Sequence, residues 1–372
     1  MKIVLIVDYY YPAVGGAETL YQKLAESLAK DHQVVVITQE VHQAASEEVY
    51  NRVHVYRVST WHRALFPYQA FSVAKRLVKD ADIIQAATYS SGVLAARLRP
   101  YTNAKVLLLV HEYLNTRWLR FGCYGLQAFL YEKFLFRYRY DHYVTVSEST
   151  KKQLLRLGIY PKQITHIYNG IDSQLFQPQK VNWALREQLN IGKEQLVCLF
   201  AGRPAVTKGV FLLLEAIREV QRLESKEQRT DRWKFVLLLA KEPARQRKKV
   251  EKLIRRYNLQ NSVLLLDSVP RVELPSYFSM ANTVVVPSLC EGFGFLAAEV
   301  SAMKIPLIVS RIDSLPEVVS GKVIFIEKPT SAAIVESLHA AFQKQYISIA
   351  HKLFSWDDTV HQYLELYRYL SK

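Results

Sequence analysis

With 372 residues, half of them hydrophobic, the chain can supply a core to each of two ordinary domains. Its 49 lysines and arginines exceed 34 aspartates and glutamates, giving a formal charge of +15 and a pI near 9.5 that draw it toward some polyanion: nucleic acid, an anionic membrane surface or phosphorylated small molecules. Three widely spaced cysteines, Cys123, Cys198 and Cys290, argue against a disulfide framework or a zinc site and for a reducing cytosol, and apolar runs such as 107–110 and 284–286 are far too short to span a bilayer.

The opening MKIVLIVDYYYP reads as a strand at 3–7 rather than a leader peptide, because tyrosines and a proline stand where small cleavage-site residues would be needed. A helix over 17–30 follows, with Ala17, Leu20, Tyr21, Leu24, Ala25 and Leu28 at helical spacing. Further strands are expected at 34–38, 53–58, 83–86, 106–110 and 143–146. Beyond a seam at NGIDSQLFQPQK (169–180), a second series falls at 196–201, 235–239, 263–266, 283–286, 307–309 and 323–326. Strands alternating with helices from end to end predict an α/β protein of two doubly wound, Rossmann-like parallel sheets facing a central cleft. Residues 1–178 form the expected N-terminal domain and 179–354 the C-terminal one, with a last helix in 355–372 able to pack back on the first. SKEQRTDR (225–232) reads as a polar loop. In RQRKKVEKLIRR (245–256) the charges lie opposite a stripe of Val250, Leu253, Ile254 and Tyr257, which marks a solvated helix face.

Ligands of open α/β sheets bind beyond the carboxyl ends of the strands, so those positions carry the functional reading. Gly15-Gly16 after the first strand fit either a tight turn or a phosphate held at a helix start. Arg203 and Lys208, five apart in AGRPAVTKGV (201–210), fit either surface charge or a clamp on a diphosphate. In PSLCEGFGFLAAE (287–299), Gly292, Phe293 and Gly294 precede a helix from about Phe295 to Met303, with Glu291 on the turn and Glu299 one helical turn inside. Two carboxylates at that spacing can hold hydroxyls at the two ends of a nucleotide sugar, act as general acid and base, or merely face a helix groove. No G-x-G-x-x-G or Walker A loop occurs, which speaks against a dinucleotide oxidoreductase or P-loop enzyme.

Taken together, YPAVGGAE (11–18), NGID (169–172), GRPAVTKG (202–209), ELPSYFSMANTVVVPS (273–288) and PSLCEGFGFLAAE (287–299) resemble family 4 of the retaining, GT-B-fold glycosyltransferases, in family order and over nearly the whole chain. The resemblance implies transfer of a sugar from a nucleotide-diphosphate sugar to a hydroxyl acceptor, the nucleotide sugar serving as co-substrate with no other cofactor and no metal. It implies that Arg203 and Lys208 grip the pyrophosphate, Glu291 the transferred sugar, Glu299 the ribose, and the amides from Gly292 to Phe295 the distal phosphate or sugar. Gly16, beside Gly15, would close the phosphate site from the other domain, and His111 in VHEY would lie near the donor sugar, a satisfied core histidine being the alternative. Base contacts are implied near 267–271. Lys304 and DSLPEVV (313–319) depart from the family's usual glycines, which affects the shape of the sugar site.

The acceptor, a glycan or glycolipid and in particular a lipid-linked or cell-envelope intermediate, is expected on the N-terminal domain, which offers WHRALFPYQAF (61–71) and FLYEKFLFRYRY (129–140). The latter fits either an anionic leaflet, with cations at the headgroups, or core packing with a charged rim. The expected location is cytoplasmic, peripheral to the membrane's inner face if the leaflet reading holds. An epimerase or hydrolase of the same fold is the rival enzyme. A basic nucleic-acid-binding protein, suggested by charge alone, is the rival of a different class; nucleic acid is not the expected partner, since the basic residues are scattered over helices and form no recognised binding module.

Overall fold

A computed structural model describes residues 1–13, 15–41, 44–226 and 232–372, with backbone alone at Tyr124 and Lys226. The chain divides into two compact units, Met1–Gly170 with Ser355–Lys372, and Ile171–Phe354. Residues 171–178 thus cluster with the second unit and the last helix with the first. The polar loop expected at 225–232 falls, at 227–231, outside the described residues.

Among the described residues the first unit holds β1 (Lys2–Ile6), β2 (Gln33–Gln39), β3 (Glu47–Tyr50), β4 (Val53–Val58), β5 (Ile83–Ala87), β6 (Lys105–Val110), β7 (His142–Thr145) and β8 (Ile164–His166). They form one sheet in the order β3-β4-β2-β1-β5-β6-β7-β8. Central strands such as KIVLI and KVLLLV are almost continuously apolar because helices cover both faces, leaving no solvent side for alternation to mark. Val4, Ile6, Val35, Ile37, Ile84 and Leu108 are buried together in one of these layers. The order reverses between β1 and β5, so the crevice beyond their carboxyl ends is this sheet's switch point.

The second unit holds β9 (Leu196–Gly202), β10 (Trp233–Leu239), β11 (Val263–Asp267), β12 (Thr283–Val286), β13 (Leu307–Ser310), β14 (Gly321–Ile326) and β15 (Ile347–Ile349), in the order β11-β10-β9-β12-β13-β14-β15. Its switch point lies between β9 and β12. Both sheets are parallel apart from one edge: β3 pairs antiparallel with β4, and β15 with β14. These edge strands, and β8, were not expected. β3 and β4 are joined through Asn51 and Arg52, both at positive φ (48° and 67°), the conformation of a type I′ hairpin turn without its usual glycine.

The helix Trp356–Leu370 belongs to the first unit. Ser355 caps it, its hydroxyl accepting from Asp357 N (3.1 Å) and Asp358 N (3.3 Å). Tyr363 and Tyr367 are fully buried beneath it, and Tyr367 Oη donates to Gln85 Oε1 on β5 (2.9 Å). The basic helix Ala244–Arg256 buries Val250 and Ile254, so its charge run is a solvated face.

Candidate active site

At the second switch point, two loops carry the expected residues to one place. β9 ends at Gly202, Arg203 follows exposed, and a single 3₁₀ turn, Val206–Lys208, leads through Gly209 into the helix Val210–Lys226. Gly209 is left-handed (φ 73°), and a Cβ on it would lie 1.9 Å from the Pro287 carbonyl oxygen. Only glycine allows the cation loop to lie this close to the loop after β12. Leu289 N donates to Thr207 O (2.7 Å) and ties the two together.

The second loop presents Glu291 to Lys208, whose Nζ lies 2.9 and 2.7 Å from the two carboxylate oxygens. Both side chains are largely shielded, at 29% and 13% exposure, so the pair is less screened than a surface salt bridge. Asp313 Oδ2 accepts from Glu291 N (3.1 Å), and Ser314 Oγ lies 3.1 Å from Glu291 O and 2.9 Å from Phe293 O, sharing one proton between them. Gly294 is left-handed (φ 93°), with Leu315 Cδ2 2.8 Å from where a Cβ would stand. The helix Phe295–Ala302 starts there, ending a residue before the expected Met303, and Gly294 at its N-cap offers no side-chain cap.

Glu299, one turn inside that helix, is 2% exposed. It is held by Arg271 Nη2, and the Arg271 guanidinium lies 5.2 Å from the centroid of Phe176. Burial pushes the Glu299 carboxyl up to about 7, with Arg271 pulling it down and Asp172 adding a smaller upward push. Arg203 stands apart: among the described residues its guanidinium pairs with no carboxylate.

Gly15, Gly16 and His111 belong to the first unit. Gly15 has extended backbone (φ 178°), so its conformation does not demand glycine; a Cβ there would meet the Glu18 carboxylate at 2.2 Å. Gly16 begins the helix Gly16–Leu28. His111 follows β6, its ring edge-on to Tyr21 at 6.2 Å, its carbonyl accepting from Thr150 Oγ1 (3.4 Å) and its enclosed Nε2 without a hydrogen-bond partner among the described residues. Burial lowers its pKa to about 4, so the imidazole is neutral at pH 7.

The segment 129–140 has a core side and an exposed side. Leu135 and Tyr140 are core, and Glu132 is buried, accepting from Leu114 N (3.1 Å), Asn115 N (2.6 Å) and Trp118 Nε1 (3.2 Å). On the opposite side of the helix Gly122–Leu135, Leu126, Leu130 and Phe134 stand 49%, 58% and 40% exposed at four-residue spacing, one stripe in solvent.

Sequence reasoning did not find Arg271's side chain, Asp313 or Ser314. No spacing rule ties them to the glutamates, since Arg271 follows β11 and Asp313 and Ser314 follow β13, while the glutamates follow β12. Among the described residues no group of three or more His, Cys, Asp or Glu could hold a metal ion, and no helix is long and apolar enough to cross a membrane.

Known proteins bear the same two halves. Residues 14–175 match the model of Glycosyltransferase Family 4 and residues 181–353 that of Glycosyl transferases group 1. An uncharacterized glycosyltransferase of Methanocaldococcus jannaschii is 25% identical over 99% of this chain and 98% of its own length. A phosphatidylinositol N-acetylglucosaminyltransferase subunit from Arabidopsis thaliana is 22% identical over 96% of this chain and 79% of its own. Sucrose-phosphate synthase from Thermosynechococcus elongatus superposes with a TM-score of 0.80 at 21% identity, covering 99% of this chain and 98% of that one. A strand-end cation paired with a carboxylate on a glycine turn, in a chain matched along nearly its whole length by these two models, identifies a GT-B-fold glycosyltransferase related to family 4 and the group 1 glycosyl transferases, which takes its sugar from a nucleotide-diphosphate donor.

Proposed function

We propose that the enzyme transfers its sugar with retention of anomeric configuration to a hydroxyl of a lipid-linked or cell-envelope glycan intermediate. The observation that carries the donor assignment is the Lys208–Glu291 pair. The ammonium suited to a diphosphate and the carboxylate suited to sugar hydroxyls are brought together at the strand ends of one sheet, 2.7 Å apart. In this reading Lys208 and Arg203 neutralise the charge that grows on the leaving diphosphate, and the amides from Gly292 to Phe295 add a fixed dipole. Glu291 accepts from the sugar's hydroxyls and Glu299 from the ribose. Gly15 and Gly16 serve the phosphates, and His111, uncharged, offers the donor sugar a hydrogen bond rather than a proton. The acceptor's proton passes to the donor phosphate as the glycosidic bond breaks, so no protein nucleophile is required.

Two features support a membrane-borne acceptor. The Arabidopsis relative carries phosphatidylinositol in its name, and the exposed stripe of Leu126, Leu130 and Phe134 is accompanied by Lys133, Arg137 and Arg139. Apolar residues entering the acyl boundary with cations at the headgroups is the pattern of a peripheral protein on an anionic leaflet.

Calorimetric titration with UDP-, GDP- and ADP-sugars tests the donor site. One of them is expected to bind, and Lys208→Ala and Glu291→Gln each to weaken it, the lysine by roughly 30- to 1000-fold for a charge pair in a partly shielded site. Binding indifferent to both substitutions would remove the assignment. Flotation with anionic liposomes at low salt tests the membrane: the protein should rise with the vesicles, and Leu130→Glu with Phe134→Glu should leave it at the bottom.

A further inference from the structure

A second cluster of polar and aromatic side chains lies at the switch point of the first sheet, beyond β1 and β5, and neither the donor assignment nor the exposed stripe uses it. Asp8, two residues past β1, is 8% exposed and has both oxygens engaged. Oδ1 accepts from Ser91 N (3.1 Å) and Ser91 Oγ (2.6 Å), and Oδ2 from Arg63 Nε (2.6 Å) and Nη2 (2.5 Å). The guanidinium is thereby fixed in place while its side chain stays 47% exposed. Of its five N–H donors, three point away from Asp8. Its Cζ lies 5.5 Å from the centroid of Tyr89, whose ring is 6.5 Å from that of Tyr131.

Tyr89 itself is strained. Its backbone has φ 72° and ψ −125°, a conformation that glycine adopts freely and a side chain bearing a Cβ rarely does. A tyrosine kept where glycine would be at ease is accounted for if its ring has work to do at that spot.

We infer that this cluster is the acceptor's ring subsite and that it takes a polyhydroxylated ring, a sugar or cyclitol. The inference rests on the transferase reading and names the substrate class of its acceptor side. Arg63 donates to vicinal hydroxyls, Asp8 is the residue that positions Arg63, and the faces of Tyr89 and Tyr131 cover the ring's C–H face. A phosphate group is the poorer fit. Asp8 already balances the charge of Arg63, so the pair is neutral as a whole and offers a dianion only the weaker attraction of a dipole in place of that of a full charge. A neutral polyol needs no full charge and gains aligned donors beside aromatic surface.

Saturation-transfer NMR on the full chain tests this directly, with methyl α-glucopyranoside, methyl α-mannopyranoside, methyl N-acetyl-α-glucosaminide and myo-inositol as probes and inorganic phosphate as the charged control. At least one ring compound should receive saturation, and its dissociation constant should rise at least fivefold in Arg63→Ala and in Tyr89→Gly. Tyr89→Gly also relieves the backbone, so its melting temperature should equal or exceed the parent's while ring binding falls; a tyrosine with a purely structural role would give the opposite pair of results. The inference is overturned if no ring compound binds, if both variants bind as the parent does, or if phosphate displaces the ring compound and the variants lose phosphate as well. Titrating the same samples with the three nucleotide sugars separates the two readings. A parent protein that binds none of them sinks the donor assignment, whatever the ring compounds do. Unchanged donor affinity in Arg63→Ala together with lost ring binding upholds the subsite, and donor affinity lost with it assigns the cluster to the donor and refutes the subsite.

Discussion

Gly209→Ala is the substitution that most directly probes how the cation loop and the glutamate loop are held together. Its backbone is left-handed (φ 73°, ψ 11°), which costs an L-residue roughly 1–2 kcal/mol. The added Cβ would sit 1.9 Å from Pro287 O, whereas such contacts do not fall below 3.0 Å, so the loops must part by about 1 Å. That opening lengthens the Leu289 N to Thr207 O hydrogen bond from 2.7 Å, at a further cost of about 1 kcal/mol. A destabilisation of about 2–3 kcal/mol follows, or roughly 4–12 °C in the melting transition of a unit this size. Lys208 and Glu291 shift with their loops, so donor affinity should fall with stability. Gly192→Ala in the same unit is the control, because its Cβ would meet nothing closer than Gln195 Cγ at 3.6 Å. Circular dichroism melts paired with donor calorimetry read both effects. A Gly209→Ala protein that melts and binds like Gly192→Ala would refute the claim that this contact builds the site.

Substitutions at two buried carboxylates test their surroundings. Because burial raises Glu299 from its ordinary value of 4.5 to about 7, the folded protein holds a proton there that the unfolded chain has released. Stability should therefore fall as pH rises from about 4.5 to 7, by on the order of 3 kcal/mol, and Glu299→Gln should remove that slope; denaturant melts across the range giving parallel curves for parent and variant would contradict it. Glu132→Ala leaves Leu114 N, Asn115 N and Trp118 Nε1 without their acceptor and should cost about 3 kcal/mol or more, with Glu132→Gln losing less; urea unfolding midpoints decide.

The parallel strands were legible because a strand covered on both faces is an apolar run, and such runs are local. The two loops that bring Lys208 and Glu291 together were legible for the same reason: glycines, cations and carboxylates stand within a few residues of a strand end. What escaped was either half exposed or long-range. β3 is a four-residue edge strand, EEVY, whose partner is chosen across a turn that lacks glycine. Arg271 reaches Glu299 across 28 residues, and Asp8 reaches Ser91 across 83, through a strand order that puts β5 beside β1. Sequence spacing cannot carry such pairings, because they are properties of topology. The strain at Tyr89 is likewise invisible to composition, since a tyrosine there reads as an ordinary turn residue.

The place of the helix Trp356–Leu370 in the first unit bears on how the protein is made. A ribosome releases Met1–Gly170 long before Ser355–Lys372, yet the earlier segment needs Tyr367 of the later one to cover Gln85. The second unit, contiguous from Ile171 to Phe354, has all its strands in hand first. Synthesis therefore leaves part of the first sheet, around Gln85, uncovered while nearly the whole of the second is translated, an interval of roughly ten to forty seconds at ordinary elongation rates. A message truncated after codon 354 would yield a finished second unit attached to a first that keeps Gln85 and its surroundings exposed, a product for chaperones and proteases rather than a smaller enzyme.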